Sequence, residues 1–229
     1  MSENEKGFSD VKKFLAIILW IIIVMSTLTV FAANESYADK LNKLGLFSGT
    51  DNGYELDKSL TREQAVTMLT RLLGAEKKAA KTDYEAVFDD VYEDRWSFPY
   101  VMYCYENKIT NGTGRNTFSP EAEIAAGQFT ALVLRVLGYE AEPNTALNTA
   151  VEKMLFSRSQ ADKLGDSEIF TRGDMVYIIY NALKTKTADG VVFAYELADS
   201  GVISDSEAEE LDVYHSALDL NQIIGSYFN

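Results

Sequence analysis

The chain has 229 residues, with 21 Lys and Arg against 35 Asp and Glu, a formal net charge of −14 and one cysteine. So acidic a surface repels nucleic acid and anionic membrane faces, which excludes both as partners. A single cysteine excludes an internal disulfide framework, and the length accommodates one sizeable domain or a compact array with a tail.

The first element is an apolar run from Phe14 to Phe31, preceded by Lys12 and Lys13 and ending in the small-x-small form Val30-Phe31-Ala32. Residues 1–33 therefore read as a secretory signal, cut after Ala32 or Ala33. The run of about 17 residues is near the lower limit for crossing a bilayer, so an uncleaved membrane anchor is the competing reading.

Three segments of one layout follow. In residues 34–80, Tyr37, Leu41 and Leu44 share a helix face closed by Gly45, and Leu60-Thr61-Arg62-Glu63-Gln64 opens a second helix with the stripe Val66, Leu69, Leu72 and Leu73. Thr61 with Gln64 has the form of a capping box, and Gly74 closes the helix. In residues 86–142, Trp96, Tyr100, Val101 and Cys104 can share a helix face. A loop then runs from Asn111 through Gly114 to Pro120, with Phe118 in the place of Tyr54. Its second helix runs from Ile124-Ala125-Ala126-Gly127-Gln128 to Val136-Leu137-Gly138, and Gln64/Gln128, Arg71/Arg135, Gly74/Gly138 and Glu76/Glu140 coincide. In residues 143–185, Leu147, Val151, Met154 and Leu155 form the first face, a loop spans Ser157 to Ile169, and Phe170-Thr171-Arg172-Gly173-Asp174 opens a helix through Val176, Ile179 and Leu183.

One such helix-loop-helix cannot bury its apolar face alone, whereas three can cover one another. Residues 186–229 read as an acidic helical hairpin: Val191 to Ala198 is apolar, Gly201 breaks it, and Ser204 with Glu207 forms a capping box opening a helix through Leu211 to Ala217. Glu207, Glu209 and Glu210 fall on its solvent face. The fold class expected is mainly α.

Phe88-Asp89-Asp90-Val91, Trp96, Tyr100, Ile109, Gly112, Phe118-Ser119-Pro120 and the helix ending Val136-Leu137-Gly138 together resemble one complete S-layer homology repeat. Thr61-Arg62-Glu63-Gln64 and Thr171-Arg172-Gly173-Asp174 resemble the family's Thr-Arg-x-x signature. The resemblance covers roughly residues 36 to 185. It implies a pseudo-threefold bundle of three helical repeats, the outer two diverged, that binds a secondary cell-wall polysaccharide, often pyruvylated, in grooves between repeats. The implied localisation is exported, at the cell wall, S-layer or cell surface of a Gram-positive-type envelope. Arg62, Arg172, Thr61, Thr171, Trp96, Gly112, Asp90 and Gln128 are the ligand-binding residues it implies.

The chemistry of these residues can be weighed on its own. A threonine cap contributes about 1 kcal/mol whatever the function. An arginine in the first helical turn faces the positive end of the helix dipole, so its recurrence at Arg62 and Arg172 calls for a compensating anion. Free amides and a guanidinium fork suit a carboxylate such as a pyruvate ketal. A salt bridge to Asp89, Asp90 or Glu123 of a neighbouring repeat is the alternative. Trp96 with Tyr92, Phe98, Tyr100 and Tyr103 offers rings on which sugar C–H faces can stack, while helix spacing assigns Tyr100 to the core. Asp89, Asp90 and Asp94 lack the bidentate glutamate and turn glycine of a calcium loop and read as a cap and a solvated rim. Ala125-Ala126 removes both cap oxygen and guanidinium from the middle copy, leaving two competent sites at most.

Cys104 reads as a buried small hydrophobe and His215 as a surface residue, with no second ligand to complete a zinc set. No cofactor or metal is expected, and no enzyme: an acid pair for wall hydrolysis is the remaining catalytic option. The leading function is a non-catalytic wall-anchoring module. The alternative is a structural or interaction protein of the envelope, with an envelope protein as partner, that keeps the fold without binding glycan.

Overall fold

The computed structural model describes residues 17–18 and 34–211. The signal-or-anchor run, apart from residues 17–18, and residues 212–229, with His215 and the end of the helix expected through Ala217, lie outside the described residues. Among the described residues the chain is mainly helical, without a sheet; five isolated β-bridges tie its loops together.

The elements are α1 (34–43), α2 (Arg62–Leu72), α3 (Glu76–Lys81), α4 (Phe98–Glu106), α5 (Ala126–Val136), α6 (Ala146–Glu152), α7 (Arg158–Asp166), α8 (Arg172–Lys184), α9 (Phe193–Asp199) and α10 (205–211). The capped helices α2, α5 and α8 carry the deepest residues: Val66, Leu69 and Leu72, Phe129, Val133 and Leu134, and Val176, Ile178 and Ile179 are all fully buried. α2 packs on α4, α5 on α6 and α8, and α8 on α9, so one continuous apolar core runs through these elements. The helix starts behave as the capping rules require. Thr61 Oγ1 accepts from the Gln64 amide at 3.4 Å while Gln64 Oε1 accepts from the Thr61 amide at 2.9 Å, and Thr171 with Asp174 makes the same pair at 3.2 and 2.9 Å.

At α5 only half of that box can form. Gln128 Oε1 accepts from the Ala125 amide at 3.1 Å, and Ala125 has no oxygen to return, although its backbone already holds the cap conformation at φ −86 and ψ 157. Ala125→Thr is therefore expected to stabilise the protein by about 1 kcal/mol, seen as a thermal melt shifted upward by a few degrees.

Several expectations need correction. Trp96 does not share a buried helix face with Val101 and Cys104; it precedes α4 and is 54% exposed. Met154 is also exposed, and α6 buries Ala146 and Ala150 instead, with Leu155 beyond its end. The segment from Ser157 to Ile169 is not a loop throughout, because Ser157 caps α7, which buries Ala161 and Leu164. Residues after Lys186 pack on the preceding helices among the described residues. The Ala188 amide donates to the Leu137 carbonyl at 2.8 Å, and Phe193, Leu197, Ile203 and Leu211 join the core. Gly74, at φ +63, closes α2 where a Cβ would press on Val202 of this segment.

Candidate functional site

Arg62 and Arg172 occupy matching positions, each at the first residue of a capped helix against a loop from elsewhere in the chain. The Arg62 and Glu63 amides donate to the Ala122 and Pro120 carbonyls at 2.9 and 3.1 Å, and the Arg172 and Gly173 amides donate to the Lys58 and Leu56 carbonyls at 2.8 and 2.9 Å. Arg62 Nε donates to the Phe118 carbonyl at 2.7 Å, and Arg172 Nε to the Tyr54 carbonyl at 3.0 Å. Each guanidinium also lies over a ring, Arg62 on Phe118 at 4.8 Å and Arg172 on Phe47 at 5.4 Å.

This geometry revises the sequence argument in two ways. The helix-start amides are not free for a ligand, since loop carbonyls already take them. Nor is the salt-bridge alternative realised: among the described residues neither arginine has a carboxylate within ion-pair distance. Asp90 accepts from the Phe118 and Ser119 amides at 2.8 and 2.7 Å, and Glu123 accepts from the Ser59 hydroxyl at 2.6 Å. Asp90 is therefore neither a solvated rim nor a partner of the guanidinium, and it holds the loop that supplies the Phe118 carbonyl. Burial pushes the Arg62 pKa down, with the Asp90 charge opposing it, and burial likewise lowers Arg172, opposed by Glu55. What remains of each guanidinium is its Nη edge.

Arg62 lines a cleft of about 210 Å³, whose walls also include Asn111, Gly112, Gln128, Arg135 and Glu142. Three of the expected site residues thus come together: Arg62, Gly112 and Gln128. Gln128 uses its oxygen for the Ala125 amide and leaves its nitrogen without a partner among the described residues. Gly112, at φ +81, is enclosed by Phe88 and the Thr117 carbonyl, so the loop can pass there only without a Cβ. Thr61 and Thr171 serve as caps, while Arg172 and Trp96 stand outside this cleft.

Trp96 is held out to solvent by a cluster that sequence reasoning missed. Glu63, 6% exposed, accepts from Arg95 Nε at 2.8 Å, Arg95 Nη2 at 3.0 Å and Ser97 Oγ at 2.5 Å, so the residues on both sides of Trp96 are tied to the start of α2. The ring lies 6.5 Å from that of Tyr100, with Tyr92 also exposed. Cys104 is fully buried, within 3.5 Å of Thr70 Oγ1, and burial pushes its thiol up to about 12, which leaves it inert as a nucleophile. Among the described residues no group of three or more His, Cys, Asp or Glu side chains is placed to hold a metal ion, and no helix is long and apolar enough to cross a membrane.

Residues 87–128, which contain the Asp90 loop, Trp96, Gly112 and Gln128, match the S-layer homology domain. This segment is similar to an S-layer homology domain. The chain is similar to a middle cell wall protein of Brevibacillus brevis, 27% identical over 71% of this chain and 16% of that protein. It is also similar to a cell surface protein of Thermoanaerobacter kivui, 27% identical over 79% of this chain and 26% of that protein. An endoglucanase of a Bacillus species is 44% identical over 24% of this chain and 6% of its own length. The chain thus spans a quarter or less of the length of these relatives, apart from the slightly larger share in the surface protein. The S-layer homology match includes the walls of the Arg62 cleft contributed by Asn111, Gly112 and Gln128, and Arg62 itself lies before the matched residues.

Proposed function

We propose that this chain is an exported, non-catalytic anchoring module that holds protein at the cell wall by binding an anionic secondary polysaccharide, with pyruvylated sugar as the fitting class. In this reading the three sequence copies form a pseudo-threefold unit over residues 34–185, and Arg62 and Arg172 each present a guanidinium edge to an acidic sugar substituent. The observation that carries it is Arg62. In a protein of net charge −14 this buried guanidinium donates only to a backbone carbonyl among the described residues, over a ring and within reach of the Asp90 charge, and it lines a cleft with Gln128 and Asn111. A carboxylate there gains a charge-assisted, two-pronged contact and offsets the burial of the guanidinium.

The similarity to wall and surface proteins supports the anchoring role. That a short stretch also recurs in an endoglucanase supports a role separate from catalysis, because the shared part is a small fraction of that enzyme. The alternative, a retained fold without glycan binding, draws on Ala126, which stands where the other two capped helices begin with arginine. Sedimentation with de-proteinated walls, before and after chemical removal of the secondary polysaccharide, separates the two readings. Binding that vanishes with the polysaccharide is expected. Absence of binding to untreated walls, or equal binding to stripped ones, excludes the proposal.

A further inference from the structure

Six helices of the described residues close in the same way, with the residue after the cap donating three residues back and the next residue five back. The first of these donors must take a left-handed backbone. At α1, α2, α5 and α9 it is glycine: Gly45, Gly74, Gly138 and Gly201, with φ between +63 and +82. At α4 and α6 it is Lys108 and Met154, both at φ 59. A lysine in this conformation is strained where glycine is not, so position 108 carries a side chain against local stability. Attraction to the helix C-terminus does not explain it, because Arg71 and Lys184 meet the same field from inside the last turns of α2 and α8 with ordinary helical backbone.

Lys108 lines a cleft of about 630 Å³ that shares Asn111, Arg135 and Glu142 with the Arg62 cleft. The two clefts adjoin along these three residues and together form the groove. Arg135 is itself occupied: Nε and Nη2 donate to the Ala141 carbonyl at 3.1 and 2.7 Å, and Nη1 to the Ile109 carbonyl at 3.2 Å. Lys108 has no ion pair among the described residues, and the Asn111 side chain has no hydrogen bond there. Tyr139 forms a fixed wall, its hydroxyl donating to the Lys186 and Thr187 carbonyls at 2.9 and 3.0 Å. We infer that the groove takes a second acidic sugar unit of the same polysaccharide chain, with its anionic group at Lys108 beside the Asn111 amide. Glu140 and Glu142 also line this cleft, Glu142 at 4.0 Å from Arg135 Nη2, and in this reading they accept from sugar hydroxyls. The inference rests on the proposed glycan reading of the Arg62 cleft.

Lys108→Gly relieves the strain and removes the charge in one step, which makes it the informative variant. Its melting temperature is expected to rise by a few degrees, while its affinity for polysaccharide released from de-proteinated walls falls about tenfold at low salt, with the difference shrinking as salt is added. Lys108→Arg should bind like the parent. Parental affinity in the glycine variant, or a lowered melting temperature, overturns the inference. Arg62→Gln is the parallel arm: if it weakens binding while Lys108→Gly does not, only the second subsite is lost, and if neither weakens binding the glycan reading of the groove itself fails.

Discussion

With Arg62 and Arg172 both replaced by glutamine, binding to de-proteinated walls is expected to fall to near background while the fold persists. Glutamine carries an amide nitrogen at the chain position of the arginine Nε, so it can still donate to the Phe118 and Tyr54 carbonyls that Arg62 and Arg172 reach at 2.7 and 3.0 Å. Only the Nη edge and the charge disappear. A charge-assisted contact contributes about 1.5–3 kcal/mol, so each single variant should weaken binding roughly tenfold to a hundredfold. The double variant loses in addition the advantage of two sites engaging one polymer. Alanine is the poorer test. Arg62→Ala strands the Phe118 carbonyl and costs about 1–2 kcal/mol of folding, confounding affinity with stability. Parental wall binding by a folded glutamine double variant would mean that both arginines serve only to join loop to helix.

How far the sequence could be read divides along one physical line. Features set by residues close in the chain were legible: Thr61 with Gln64 and Thr171 with Asp174 form the capping pairs, and Gly45, Gly74, Gly138 and Gly201 take the left-handed closures. The apolar stripes of α2, α5 and α8 are the buried faces. α7 escaped because its buried face is only Ala161 and Leu164 in a polar stretch, too sparse for a helical period to show.

The residues of the candidate cleft were legible in type and not in their partners. Arg62, Gly112 and Gln128 do line one cleft, but the acceptor for Arg62 is a backbone carbonyl, which any residue at position 118 would supply and no pattern can announce. The spacing of Trp96 to Tyr100 fits a helix. Glu63 instead pins Arg95 and Ser97 to the start of α2, and this contact between residues far apart in the chain turns the ring outward. Lys108 carries no sequence signal, because its left-handed backbone is a property of the folded helix end.

Glu63 should consequently be one of the most sensitive positions for stability. Its side chain is 7% exposed and that of Arg95 21%, so this ion pair is largely shielded, whereas the second contact of Arg95, to Glu121, ends on a side chain 79% exposed and contributes little. Glu63→Ala leaves a half-buried guanidinium with only the exposed Glu121 as acceptor and the fully buried Ser97 hydroxyl with none. The expected loss is about 2–4 kcal/mol, or a melting temperature lower by about 5–12 °C. Arg95→Ala should cost nearly as much, and the two together well short of the sum, because they remove one interaction.

The pH dependence has a definite sign. Burial raises the Glu63 pKa, but hydrogen bonds from Arg95 and Ser97 and the Arg95 charge outweigh it and hold the carboxyl below its ordinary value. Its contribution is therefore fully present above the unfolded-state pKa of about 4.3 and is lost as pH falls through the lower folded value. Melts of the parent and of Glu63→Gln between about pH 7 and pH 3 should converge toward the acid end, the glutamine variant declining less steeply. Parallel curves separated by a constant offset would show that Glu63 acts through packing and its neutral hydrogen bonds, leaving the orientation of Trp96 independent of the carboxylate charge.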